Sequence, residues 1–117
     1  MIKRPRTIIS DIDGVIFKHQ GDICKQHLND PIVLDGVKEK IREWDVEGCH
    51  IILVTGRRES VRKETEKQLS SSGIIYDNLI MNVGGGVRVL INDKKPDKED
   101  DTAIAICVER NKGVLDI

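Results

Sequence analysis

Asp11 and Asp13 stand two residues apart in Ser10-Asp11-Ile12-Asp13-Gly14-Val15, directly after the run Thr7-Ile8-Ile9. A short strand that delivers two acids to its C-terminal end offers a place for a hard cation and a phosphate. The pairing also suits covalent chemistry, with one Asp as nucleophile and the other as general acid and base. These residues point to Mg²⁺-dependent phosphotransfer, most simply a phosphatase. A polar turn after a strand would give the same local pattern, so the rest of the chain has to discriminate.

The elements that would position the pair can be read from hydrophobic spacing. Thr7 to Asp11 reads as a buried parallel strand: short, β-branched and not alternating. Residues Ile12 to Leu34 are irregular and are expected to form a long loop or small flap; loops beyond about 12–15 residues are usually functional or disordered. Asp35 is a candidate N-cap for a helix through Glu47, with Val37, Ile41 and Trp44 at helical spacing and Gly48 as its stop. His50 to Thr55 reads as a second buried strand, followed by the turn Gly56-Arg57-Arg58. A charged helix then runs to about Ser72, with a thin apolar stripe of Val61 and Leu69, and Gly73 ends it. Leu79 to Met81 and Val87 to Ile91 are expected as third and fourth strands, with Gly84-Gly85-Gly86 as a flexible break between them. Thr102 to Val108 is expected as a last strand. Strands alternating with helices imply a parallel sheet with right-handed crossovers. Ligands then sit off the carboxyl ends of the strands, where Asp11, Asp13, Thr55 and Asp93 are all expected.

With these motifs in place, the chain resembles the haloacid dehalogenase (HAD) superfamily of phosphohydrolases, as a small capless member. Asp11-Ile12-Asp13-Gly14-Val15, Leu53-Val54-Thr55-Gly56-Arg57 and Leu90-Ile91-Asn92-Asp93 carry the resemblance, in order and in strand context. The resemblance implies a three-layer Rossmann-like sheet with helices on both faces, one domain over 1–117, and a flap insertion at 12–34. It implies Asp11 as nucleophile and metal ligand. Asp13 would be the acid and base, with its carbonyl facing Mg²⁺. Thr55 and the Gly56 N–H would bind the phosphoryl oxygens, and Asp93 would hold the metal. The physics agrees with that division, because a cation must cancel the repulsion between a carboxylate and a dianionic phosphate. The family's third motif supplies a Lys or Arg, and no clean match is present. Arg88 ranks first for that role and Lys94 second, with Lys63, Lys67 and Lys95 behind them. Asn92 stands where many members have Asp.

The stretches from Asp13 to Asp35 and from Thr55 to Arg88 leave no room for a folded cap. Capless relatives act on large substrates or borrow a neighbouring subunit as a lid. By analogy, the expected activity is a phosphomonoesterase working through an aspartyl-phosphate, with Arg57 reaching the substrate beyond its phosphate. A sugar phosphate is the favoured substrate. A polynucleotide 3′-phosphatase and a non-catalytic metal- or phosphate-binding module are the alternatives. A response-regulator receiver is set aside, because Asn82 rather than Asp follows the third strand.

Composition narrows the partners. The 117 residues are 38% apolar and 33% charged, with formal net charge −1, so there is no electrostatic case for an anionic membrane, and nucleic acid is not favoured on charge. One Trp, one Tyr and one Phe give no stacking platform for bases. Cys24, Cys49 and Cys107 are an odd number without CxxC spacing, which favours a reducing cytoplasm. Cys49 and Cys107 read as buried small hydrophobes. His19, Cys24 and His27 supply only three zinc ligands and read as loop residues. No run approaches membrane-spanning length. A homo-oligomer would suit an uncapped site.

Overall fold

Thr7–Asp11 (β1), His50–Val54 (β2) and Asn78–Ile80 (β3) form a parallel three-stranded sheet in the order β1-β2-β3. The computed structural model describes residues 4–97 and 99–117; Met1 to Lys3 of the basic N-terminus, Lys98, and the side chains of Ile23 and Cys24 lie outside the described residues. Val37–Val46 (α1) connects β1 to β2, and Arg62–Ser71 (α2), preceded by a 3-10 turn at Glu59–Val61, connects β2 to β3. Parallel neighbours need such crossovers, and helices are the usual means.

The register explains which face is buried. Ile8 pairs with Ile51, Ser10 with Leu53 and Asp11 with Val54; Leu53 also pairs with Leu79. Side chains alternate along a strand, so Ile51, Leu53 and Leu79 share the face that packs into the core with Val37, Ile41 and Trp44 of α1. The opposite face carries Ile9, Ile52, Val54 and Ile80, with Ile9 52% and Ile80 48% exposed. The α/β class therefore holds, but the expected three layers do not appear among the described residues, because nothing seals this second face.

Helix α1 starts later than its sequence suggests. Gly36, at φ 79°, takes the N-cap position in place of Asp35. Asp35 is occupied by the C-terminal segment, whose Val114 N–H donates to the Asp35 carbonyl at 2.9 Å. A Cβ on Gly36 would lie 2.8 Å from the Leu115 side chain, so both the handedness and the close approach call for glycine.

The expected strands at Val87 to Ile91 and Thr102 to Val108 are not formed; residues 82–117 contain no helix or strand among those described. Val87, Val89 and Ile91 are open to solvent, as are Ile104 and Ile106. β-branched composition fits a pleated surface only when a partner strand and a core cover it, and here neither does. Cys107 is correspondingly exposed rather than buried, whereas Cys49 is buried as expected.

The stretch from Ile12 to Leu34 is a flap with a short stem. Phe17 bridges Asp13 and Val33, Lys18 N–H donates to Ile32 O, and Leu34 N–H donates to Ile16 O. Between the two sides of the stem lies a 3-10 turn at Ile23–Leu28. Buried Gln26 organises it, accepting from Gln20 N–H and donating to the Gly21 and Asp22 carbonyls. No helix among the described residues is long and apolar enough to cross a membrane.

Candidate active site

Asp11 closes β1, and the parallel register sets it opposite Val54, so Thr55 continues the neighbouring strand beside it. Asp11 Oδ1 accepts from the Ile12 N–H at 2.9 Å, and Oδ2 lies 3.6 Å from Arg88 Nη1. Burial pushes the Asp11 carboxyl above its ordinary value of 3.8; the Ile12 N–H and the Arg88 charge oppose that rise, and the Asp13 charge adds to it. The strand end is thus drier than a surface turn yet still open enough for a ligand.

Asp13 follows in a tight turn in which Ile12 O accepts from the N–H groups of Val15, Ile16 and Phe17. Gly14, at φ 89°, supplies the left-handed step that starts this turn. The Asp13 carboxylate is held by a fork: Arg57 Nη2 donates to Oδ1 at 2.8 Å and Nε to Oδ2 at 3.0 Å. Both side chains are nearly sealed, at 1% exposure for Arg57 and 4% for Asp13. Arg57 Nη1 donates to Thr65 Oγ1 at 3.1 Å and to Gln68 Oε1 at 2.5 Å. Arg57, expected to reach toward substrate, is turned inward in this structure. Four of its five N–H groups bond inside the protein, two to Asp13 and two to the inner face of α2.

Thr55 is 1% exposed, and its Oγ1 accepts from the Arg57 N–H at 3.1 Å, which leaves the hydroxyl proton to donate elsewhere. Its backbone is pinned on both sides, with its N–H donating to Ile80 O and its carbonyl accepting from Val83 N–H. Gly56 follows, between the Thr55 carbonyl and the Arg57 carbonyl, which accepts from Asn82 N–H at 2.7 Å.

Asp93 and Lys94 stand apart from this cluster. They lie on the exposed stretch after Ile91, where Asp93 makes local contacts: its N–H donates to Asn92 Oδ1, its Oδ1 accepts from Lys95 N–H, and its carbonyl accepts from Thr102 Oγ1. Asp11, Asp13 and Asp93 do not gather, and no group of three acids, histidines or cysteines suited to a metal ion occurs among the described residues. A Mg²⁺ that keeps several waters needs only one or two carboxylates plus substrate oxygens. The part-exposed Asp11 carboxylate fits that smaller demand; both Asp13 oxygens are engaged by Arg57.

Thr65, Gln68 and Asn111 are site residues that motif reading misses. Thr65 and Gln68 are buried at positions of α2 where an apolar stripe would be expected. That gap in the stripe is the available signal. Asn111 clasps the loop after Asp13: its N–H donates to Gly14 O, its Oδ1 accepts from His19 N–H at 2.7 Å, and its Nδ2 donates to His19 O. Nothing local in the sequence marks it.

No protein-family model matches the chain. No curated protein matches it either. Solved structures do. In "Structure of Pnkp1/Rnl/Hen1 complex", one chain aligns at 25% identity with a TM-score of 0.60, over 73% of this chain and 30% of that one. In "Structure of the Pnkp1/Rnl/Hen1 RNA repair complex", the match is 25% identical with a TM-score of 0.58, over 72% of this chain and 28% of that one. The chain thus spans less than a third of the length of the solved chains it resembles, and what it resembles is part of an RNA repair complex.

Proposed function

We propose that this chain is a phosphomonoesterase that removes a terminal phosphate from a polynucleotide, with Asp11 as nucleophile. The observation that carries this reading is the meeting of Asp11 with Arg88 Nη1 at 3.6 Å, beside Thr55, at the carboxyl end of adjacent parallel strands. Asp11 Oδ2 would attack phosphorus as the ester oxygen departs, forming an aspartyl-phosphate. Arg88 and the Thr55 hydroxyl would bind the phosphoryl oxygens, where charge must be met by donors. Asp13 would give its proton to the leaving oxygen and later take one from the water that opens the acyl-phosphate. To do so, one Asp13 oxygen has to leave the Arg57 fork and take up a proton from solvent before the ester oxygen departs. Asp11 would hold Mg²⁺, which supplies charge neutralisation when bound.

The likeness to chains of an RNA repair complex supports a polynucleotide end over the sugar phosphate favoured by composition. The uncapped strand ends suit a large substrate. The rival reading is a binding module without turnover, and the closed Asp13–Arg57 pair favours it. One screen separates them. With Mg²⁺, the chain is expected to release phosphate from a 3′-phosphorylated oligoribonucleotide faster than from a sugar phosphate, and Asp11→Asn is expected to release none. Absence of turnover on any ester would leave only the binding module.

A further inference from the structure

We propose that Gln68 is a positioning residue that ties the flap, residues 18–32, to Asp13 through Arg57. The inference rests on the reading of Asp13 as the acid–base group. Gln68 is 7% exposed and sits at the junction of three parts of the fold. Its Oε1 accepts from Arg57 Nη1 at 2.5 Å, and its Nε2 donates to Asn29 O at 2.7 Å and Gln26 O at 3.1 Å. The amide has one workable orientation. Turned over, its NH₂ would face a guanidinium and its oxygen would face two carbonyls, opposing like with like on both sides.

The result is an unbroken series of buried polar contacts: flap carbonyls, Gln68 amide, Arg57 guanidinium, Asp13 carboxylate. No buried side-chain nitrogen or oxygen among the described residues lacks a partner. That completeness makes the series sensitive to change. Displacing the flap strips both acceptors from Nε2 at once, and a buried donor left unpaired is costly. The amide then has to turn, and Arg57 loses the acceptor that aims Nη1 away from Asp13. The flap position and the Asp13 orientation are therefore linked, and such linkage acts in both directions. Gln26 belongs to the same device, because its side chain shapes the flap turn whose carbonyl Gln68 holds.

Two substitutions cut the series on the flap side without replacing Asp13 or Arg57. Gln68→Glu keeps an oxygen for Arg57 but sets the other against the Gln26 and Asn29 carbonyls. Gln26→Ala loosens the turn itself. Each is expected to lower kcat on a small aryl phosphate about 10- to 100-fold, the size that a misplaced catalytic group costs. KM is expected to stay within about 3-fold, since the group that moves acts on the chemical step and not on substrate binding. The double variant is expected to be no slower than the slower single one, because both break one connection. Multiplying defects, or a loss confined to KM, would overturn the proposal. Hydrogen exchange gives a readout independent of turnover: Asp13→Asn is expected to speed exchange of flap amides, with Gln68→Glu as the positive control. Unchanged flap exchange in Asp13→Asn would also overturn it. If the wild type hydrolyses no ester, the phosphatase reading fails, and the exchange comparison still decides the link between Gln68 and Asp13.

Discussion

Arg57 holds both carboxylate oxygens of Asp13, at 2.8 and 3.0 Å, across 44 positions of sequence. The pair fastens the turn after β1 to the turn after β2. It also accounts for the composition of α2: Thr65 and Gln68 face inward to receive the two N–H groups of Nη1.

Removing one partner of a sealed ion pair strands the other. Arg57→Ala is expected to destabilise the fold by about 3–5 kcal/mol, since it leaves Asp13 buried and unpaired. Arg57→Lys is expected to recover only part of this, because a point charge cannot reproduce the fork. Urea unfolding with the m-value held constant measures both, and a loss under about 1 kcal/mol for Arg57→Ala would contradict the pairing.

Asp11→Asn replaces the carboxylate proposed to attack phosphorus with an amide of the same shape. Phosphate release is expected to fall by roughly 10³-fold or more, as removal of a nucleophile requires, with an unchanged far-ultraviolet dichroism spectrum. Retained turnover would assign the attack to another group.

The same substitution has an opposite effect on stability. Burial raises the Asp11 carboxyl above 3.8, so ionising it costs the folded state. That cost is absent below 3.8, grows as pH rises through the raised value, and is complete above it. Asp11→Asn is therefore expected to melt above the wild type at about pH 7 and to converge with it near pH 3. A wild type that melts higher at neutral pH would reverse the sign.

Arg88 is part-exposed, and its distance from Asp11 Oδ2 is that of a loose ion pair. Exposed pairs contribute little to folding, so Arg88→Ala is expected to change stability by less than about 0.5 kcal/mol. Turnover is expected to fall about 10²- to 10³-fold, the usual loss of one donor to a developing charge. Arg88→Lys should lie between the two. Comparing denaturation midpoints with steady-state rates separates the contributions.

Removal of divalent cations tests the role of Asp11 as a ligand. EDTA is expected to abolish phosphate release and Mg²⁺ to restore it, with little change in Tm, since one carboxylate is too small a cage to carry folding energy. Full activity in EDTA would remove Mg²⁺ from the reading.

Much of this was legible in the residues. The apolar runs around β1 and β2, and the spacing of Val37, Ile41 and Trp44, locate strands and helix to within a residue or two. Those signals are local, because burial of one face repeats with the period of the element. The fork from Arg57 to Asp13 was not legible. A Thr-Gly-Arg turn says that a cation is present, and only the packed fold says which way it faces. Val87 to Ile91 shows the reverse failure: its composition is that of a strand, but pairing depends on an edge and a covering surface elsewhere. Gln68 carries no signal of its own in the sequence, because one amide in a charged helix looks like solvated surface.

Asn111 reaches back 92 positions to His19 and, on its other side, to Gly14. During synthesis at about 5–20 residues per second, that gap is a delay of roughly 5–18 s. Over this interval the loop that carries Asp13 has its own hydrogen bonds but not its clasp. The turn that carries Asp13 is thus written early and fastened late, with its last tie supplied by the end of the chain that is made last.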